Sequence, residues 1–166
     1  MRQIKFRELN LEDFQLYGSF TDMLAPDGYC FEGAGFRFYR DCTQQYLGTG
    51  AQASFSLCEV QERPFVIDCS EYHNYCAEAI LPLDGDILMH VGPAVSSESP
   101  PLDEIEVFRV PKGTLVVVKP GVWHHAAFAF QCQKVNILCI LPERTYMNDC
   151  HVRELEGDDR LEIVLD

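Results

Sequence analysis

Residues that combine imidazole and carboxylate groups form the first candidate site, in the pattern Glu71-x-His73-x4-Glu78-x6-Gly85. Side chains alternate between the two faces of a β-strand, so Glu71 and His73 project from the same face. Glu78 can return to that face after a bend. Imidazole nitrogen and carboxylate oxygen together suit a divalent first-row metal. The alternative interpretation is three exposed polar residues at a strand edge.

A second pattern, Gly113-x7-Gly121-x2-His124, contains a further candidate ligand. Within it, a run of valines leads into a tight Pro-Gly turn that reverses the chain. Neighbouring strand residues face opposite sides, so either His124 or His125 points inward. A buried imidazole among valines needs a polar partner. A metal, a carboxylate and a backbone carbonyl all satisfy that need.

Short extended segments punctuated by Gly, Pro and Asp must position these residues. Several segments alternate between apolar and polar residues, whereas 115–118 is continuously apolar and indicates burial on both faces. Many short strands repeating every ten residues or so are typical of an all-β barrel or sandwich. The predicted strands are 36–39, 54–60, 65–68, 71–75, 78–81, 87–91, 105–110, 114–118, 124–130 and 135–141.

The length of 166 residues predicts one domain over 1–166. We place the core barrel at about 33–145. The acidic tail from residue 152 onward is treated as an appendage. Its apolar end, 161–165, is either a last edge strand or a turn of helix.

A short helix is predicted over about 11–17, as a second appendage before the barrel. Asn10 is a suitable N-cap, Asp13 occupies the third helical position, and Gly18 is a suitable stop. The Pro- and Ser-rich segment 92–103 is the clearest long loop.

Composition excludes several function classes. Apolar residues make up 47% of the chain and charged residues 23%, which is ordinary for a globular protein. Lys and Arg total 13 against 26 Asp and Glu, a net charge of −13, so nucleic acid is not an expected partner. Even the longest apolar runs, such as 137–141, are far too short to span a bilayer, and no membrane association is expected.

Eight cysteines are present, and none of them forms a C-x-x-C pair. The N-terminal segment has no apolar signal region, so we expect a cytoplasmic protein with reduced thiols. Most of the thiols are expected to pack as small hydrophobes.

Together the two patterns resemble the motifs of the cupin superfamily. From His73 onward the first pattern is similar to the second half of the first cupin motif, and the second pattern matches the length of the other motif. Two departures are Glu71, where a histidine is expected, and Phe128, where an asparagine is expected. The resemblance implies a single all-β jelly-roll barrel with a site inside its mouth.

A closer resemblance is to the ureidoglycolate lyase (ureidoglycolate hydrolase) family of cupins. Its most specific element is the run GVWHH at 121–125, and a departure is Glu78, where the family has glutamine. The other similar segments are 71–85, Asn148-x-Cys150, and the opening 11–14 with Tyr17-Gly18.

This resemblance implies a lyase of allantoin degradation, a branch of purine metabolism, that splits ureidoglycolate into glyoxylate and urea. Such an elimination needs a base for the hydroxyl proton and an acid for the leaving nitrogen. His73, His124 and Glu78 are the expected catalytic residues. With Glu71 they are also the expected ligands of a divalent Ni, Zn, Mn or Fe ion. A related small 2-hydroxy or sugar acid is an alternative substrate.

The substrate is expected to be a small carboxylate that needs a cation. The candidates for binding it are Lys119, Arg37 and Arg109. Because exposed sheet edges need protection and cupins commonly dimerise, we also expect a homodimer.

Two other functions fit the same residues. A sugar or uronate isomerase-like cupin would use the Glu71 and Glu78 carboxylates for proton transfer beside a carbonyl. A cupin that binds a small ligand without catalysis would fit the missing histidine at position 71.

Four further residues with ring side chains lie in these motifs or elsewhere in the chain. His125 is expected to face away from His124, and Trp123 to be a core residue, a dimer contact or a substrate platform. His90 is not favoured as a pocket residue, and His151 is expected to be solvated.

Overall fold

The computed structural model describes residues 1–165, and most of their regular structure is β-strand, as the sequence predicts. The larger sheet has the spatial order β12 (Phe128–Ala129), β9 (Ile87–Val91), β10 (Glu106–Val110), β1 (Arg2–Glu8), β15 (Leu161–Val164) and β6 (Val66–Ile67). The smaller sheet has the order β2 (Gly18–Asp22), β11 (Thr114–Val118), β8 (Glu78–Pro82), β13 (Lys134–Pro142) and β5 (Ala53–Gln61).

Two antiparallel ribbons and two single-turn helices complete the regular structure. The first ribbon pairs β7 (Cys69–Tyr72) with β14 (His151–Glu154), and the second pairs β3 (Cys30–Gly33) with β4 (Phe36–Tyr39). The helices are α1 (Leu11–Phe14) and α2 (Thr145–Asn148), and 3₁₀ turns occur at Leu102–Glu104 and Gly157–Asp159. Among the described helices none is long and apolar enough to cross a membrane.

The main hydrophobic core lies between the two large sheets. It joins residues of β9 and β10 on one side to residues of β8, β11 and β13 on the other. Phe14 of α1 closes one end of this core, with its ring 5.3 Å from that of Phe108 and nearly perpendicular to it. The short helix α1 therefore covers one end of the space between the sheets.

Strand β9 is buried on both faces, which explains why all of its residues except His90 are apolar. Ile87 and Met89 point into the main core, whereas Leu88 points into a second apolar cluster on the other side of the sheet. That cluster includes Phe6 of β1 and Leu161 of β15. Burial on both faces is typical of a central strand.

The chain ends belong to the larger sheet and are not appendages. Strand β1 lies between β10 and β15 and runs parallel to both of them. The barrel boundary of about 33–145 is therefore too narrow. The prediction missed β1 because most of its residues are polar and exposed, with only Ile4 and Phe6 packed against the second cluster. The ambiguous end of the tail is strand β15.

The predicted helix is real but shorter than 11–17. Asn10 Oδ1 accepts a hydrogen bond from Asp13 N as the expected N-cap, and the helix ends at Phe14. Gly18 opens strand β2 instead of stopping the helix. A Cβ atom at Gly18 would lie 2.0 Å from Val117 O, so close backbone approach is what requires glycine there.

The predicted strand 124–130 is largely irregular. Only Phe128–Ala129 is a strand, and Trp123 and His124 form isolated bridges with Gly92 and Glu71. The predicted strand 71–75 likewise ends at Tyr72. Strands β2, β3 and β14 were not predicted. The segment 92–103 is a loop as expected, apart from the 3₁₀ turn at its end.

Candidate functional site

Backbone pairing brings the two sequence patterns side by side. Glu71 N donates to His124 O at 2.6 Å, and His124 N donates to Glu71 O at 2.8 Å. The Pro-Gly turn is held by a hydrogen bond from Gly121 N to His73 O at 2.7 Å. Gly121 has φ +79°, a left-handed conformation that favours glycine. Residues about fifty positions apart in the sequence are thereby adjacent at one end of the barrel.

The four predicted ligand residues converge at this end. Glu78 Oε2 lies 3.2 Å from His73 Nε2 and 2.9 Å from His124 Nε2, and all three side chains are buried. A carboxylate oxygen of Glu71 and one nitrogen from each histidine lie within 4.8 Å of one another. The group whose ligand atoms are all mutually close is therefore Glu71, His73 and His124, with Glu78 in contact with both histidines.

Backbone carbonyls orient both imidazole rings. His73 Nδ1 lies 2.6 Å from Asp149 O, and His124 Nδ1 lies 2.8 Å from Val122 O. A carbonyl oxygen only accepts hydrogen bonds, so each Nδ1 carries the hydrogen and each Nε2 faces Glu78. This arrangement is the one by which outer partners fix a metal-binding histidine.

The loop that carries the Asp149 carbonyl is itself fixed. The Asp149 carboxylate accepts hydrogen bonds of 2.8 Å from the backbone amides of Asn74 and Tyr75. The segment that follows His73 is thereby tied to the segment that follows α2. The orientation of the His73 ring therefore depends on two loops that close over the site from different parts of the chain.

The surroundings of Glu78 favour the ionised form of its carboxyl group. Burial by itself would raise the pKa of Glu78, but hydrogen bonds from His124 and His73 outweigh it and lower the pKa to about 2. Burial would likewise lower the pKa of His124, but the hydrogen bond and the charge of Glu78 outweigh it and raise that pKa. The ionised Glu78 carboxylate is stabilised by positive charge beside it. A divalent cation held by the nitrogens and carboxylates of the cluster would supply that charge, so the residues fit a metal.

A cavity of about 300 Å³ opens beside the cluster. Its polar lining consists of Glu71, Glu78, His124, His125 and Tyr146. The rest of the lining is apolar or sulfur-containing: Cys58, Ile80, Met89, Ala126, Ala127, Ile137 and Cys139. No Lys or Arg side chain lines this cavity within residues 1–165.

Sequence reasoning missed three residues at the cavity or beside it. Tyr146 is the second residue of α2, and nothing in the sequence patterns indicated it. Burial and the nearby Glu78 raise the pKa of Tyr146, so its hydroxyl stays protonated. Cys150 Sγ donates to Glu71 Oε2 at 3.0 Å, and burial and Glu71 raise its pKa to about 12. The resemblance at Asn148-x-Cys150 was the only signal for Cys150.

The third residue is His125, which lines the cavity. The expectation that it faces away assumed a regular strand after His124, and the backbone there is irregular.

The three basic residues expected to bind a substrate carboxylate lie outside the cavity lining. Each of them is engaged by acceptors elsewhere. Lys119 Nζ donates to Gln15 O at 2.6 Å, Arg37 pairs with Glu32 at 2.9 Å, and Arg109 pairs with Glu8 and Asp86 at 2.7 Å each.

Trp123 and His151 pack against the same tyrosine. The Trp123 ring is buried, with its centroid 4.5 Å from that of Tyr72, so it is a core residue. The His151 ring stacks on the Tyr72 ring at 4.7 Å, and 42% of the His151 side chain is exposed to solvent. Neither residue lines the cavity.

His90 is buried behind the cluster. Ser70 Oγ lies 3.1 Å from His90 Nε2, and the same hydroxyl lies 3.4 Å from the carbonyl oxygen of His124. His90 Nδ1 has no hydrogen-bond partner among the described residues. Burial, together with His125 and His124, lowers the pKa of His90 to about 3, so the ring is neutral.

Comparison with known proteins identifies the family. The sequence matches the family described as ureidoglycolate lyase over residues 1–163. The chain belongs to the ureidoglycolate lyase family. Among curated proteins no relative matches it.

Solved structures with a similar fold are cupins, which confirms the predicted jelly-roll barrel. A dTDP sugar isomerase from Desulfovibrio desulfuricans has a TM-score of 0.50 and 14% identity, with 85% of each chain covered. Oxalate decarboxylase from Bacillus subtilis has a TM-score of 0.44 and 16% identity over 62% of this chain. This chain spans 24% of the length of that decarboxylase.

The buried His90 predicts a pH dependence of stability. The unfolded chain binds a proton near the ordinary histidine pKa of 6.5, whereas folded His90 resists protonation down to about 3. Since the folded pKa is depressed, the stabilisation is complete above pH 6.5 and is lost as the pH falls toward 3. His90→Gln should remove about 1.4 kcal/mol per pH unit from the slope of unfolding free energy in that window. Urea denaturation at several pH values measures this slope.

His151→Gln is the matched control, because His151 is half-buried on a ribbon and is not enclosed as His90 is. The control should leave the slope as in the wild type. Parallel curves for the wild type and His90→Gln would contradict the assignment of a buried neutral His90.

Proposed function

We propose that this chain is a divalent-metal-dependent cupin lyase that cleaves ureidoglycolate to glyoxylate and urea, or a related small 2-hydroxy or sugar acid. The observation that carries the proposal is the convergence of His73 Nε2, His124 Nε2 and Glu78 Oε2, with both Nδ1 atoms held by carbonyls. Membership of the ureidoglycolate lyase family supports the reaction class.

The metal would be held by His73, His124, Glu78 and Glu71. When bound, a divalent ion polarises a coordinated hydroxyl and balances a neighbouring carboxylate. The Cys150 thiol donates to Glu71 and thereby orients that carboxylate toward the two histidines. Ni, Zn, Mn and Fe all suit two imidazoles and two carboxylates.

The remaining polar groups on the cavity wall are placed to move protons. The elimination removes the proton of the substrate hydroxyl, forms a carbonyl, and breaks the carbon–nitrogen bond as the nitrogen gains a proton. The His125 imidazole is the available base for the hydroxyl proton. The Tyr146 phenol is the available donor to the leaving nitrogen. Both line the cavity, and neither belongs to the ligand set.

Carboxylate binding depends on the metal site in this proposal. Lys119, Arg37 and Arg109 are engaged elsewhere, and the described lining of the cavity contains no other basic side chain that is always charged. The two carboxylates of the site would repel an anionic substrate without a bound cation.

An isomerase would need the Glu71 and Glu78 carboxylates as free bases. Both histidines contact one oxygen of Glu78, and Cys150 binds Glu71, so neither carboxylate is free in this sense. The lyase proposal is therefore favoured. A ligand-binding protein without activity is the outcome that a failed turnover assay would support.

Metal binding is expected to need the clustered histidines. Wild-type protein reconstituted with Ni, Zn, Mn or Fe should retain about one ion per chain after desalting and release glyoxylate from ureidoglycolate. His124→Ala should lose most of the ion and the activity, because a buried ligand is removed. His151→Ala is the control and should keep both. Elemental analysis and a glyoxylate assay measure the outcomes, and a wild type that retains no ion would refute the metal site.

Tyr146 is expected to act as the proton donor. Tyr146→Phe should lower kcat by about 10²–10⁴-fold while the metal content stays unchanged, since general acid catalysis contributes that much. Tyr75→Phe is the matched control because Tyr75 is 71% exposed. Steady-state kinetics with elemental analysis test this, and an unchanged kcat in Tyr146→Phe would remove Tyr146 from the mechanism.

A further inference from the structure

The wall of the cavity beyond the ligand cluster has little capacity for hydrogen bonding. Ile80 and Ile137 come from adjacent strands of the smaller sheet, and Met89 comes from the larger one. All three are at most 6% exposed, so the wall is fixed by packing in the main core. Cys58 and Cys139 add soft thiols, and burial raises the pKa of both, so they stay neutral.

This wall fits the leaving half of ureidoglycolate poorly. A urea group carries several donors and a carbonyl acceptor, and each needs a partner when it leaves water. The polar groups of the cavity are concentrated at Glu71, Glu78, His124, His125 and Tyr146, where the reaction would occur. An apolar group placed against the wall would gain from burial instead.

Resting on the proposed lyase function, we propose that the substrate is a 2-hydroxyglycine whose nitrogen carries an uncharged, apolar acyl group in place of carbamoyl. The acyl chain contacts Ile80, Met89 and Ile137. The reaction R–CO–NH–CH(OH)–COO⁻ gives R–CO–NH₂ and glyoxylate. The hydroxyl proton leaves, the carbonyl of glyoxylate forms, the carbon–nitrogen bond breaks, and the amide nitrogen takes up one proton, so no further reactant is needed.

The size of the cavity limits the acyl group. About 300 Å³ is at the lower end of the range for small-molecule sites, so a chain of a few carbons fills it. A second carboxylate on the substrate would face Glu71 and Glu78 without a basic partner on the described wall. The cavity therefore selects against charged substituents as well as long ones.

Turnover and binding test the proposal together. N-butyryl-2-hydroxyglycine should show kcat/KM about tenfold or more above ureidoglycolate, since one methylene in an apolar pocket is worth roughly tenfold or more. Isothermal titration of metal-loaded protein with unreactive 2-hydroxy acids provides a readout independent of activity. 2-Hydroxybutyrate should bind at least about tenfold more tightly than malate or glycerate. Equal or reversed preferences in either measurement would overturn the proposal.

A matched pair of variants links the preference to the wall. Met89→Gln replaces a buried thioether by an amide of similar length and should reduce the butyryl-to-carbamoyl ratio about tenfold. Met147→Gln, at a residue 85% exposed, should leave the ratio unchanged. The ratio is independent of the fraction of folded protein. If neither substrate releases glyoxylate, the lyase function fails, and the titration alone decides the preference of the cavity.

Discussion

The site depends on one buried carboxylate oxygen held between two histidines. Glu78 Oε2 contacts His73 Nε2 and His124 Nε2, and the opposite nitrogen of each ring donates to a backbone carbonyl. A buried carboxylate without a compensating partner strongly destabilises a fold. The two imidazoles that contact Glu78 are therefore required to keep its carboxylate buried. The Asp149 loop, the Pro-Gly turn and the Glu71–His124 bridge all serve to hold this arrangement.

The barrel surrounds this cluster with a cavity whose walls differ in polarity. Polar groups gather at one end, where strand β8 begins and the irregular segment after His124 passes, while the packed core forms the opposite wall. Because the wall belongs to the main core, its shape is as rigid as the fold itself. The same sheets that enclose the histidine and glutamate cluster therefore also form the wall that a bound substrate would contact.

The strong negative charge of the chain is divided between the barrel interior and the surface. Glu71 and Glu78 place negative charge inside the barrel, where a divalent cation would balance it. The remaining acidic residues are mostly at the surface. The charge inside the barrel therefore bears on which ligand the cavity can accept.

The sequence by itself determined the all-β class, most central strands and the candidate cluster of two histidines and two glutamates, because apolar periodicity and motif spacing are local properties. Only the tertiary structure decided that β1 and β15 lie side by side within the larger sheet, because most residues of β1 are polar and exposed and pairing between distant segments is not a local property. It also decided that Tyr146 and His125 line the cavity and that Arg109 does not. These positions depend on loop paths and on ion pairs between distant residues, such as Arg109 with Glu8, and no local pattern encodes such contacts.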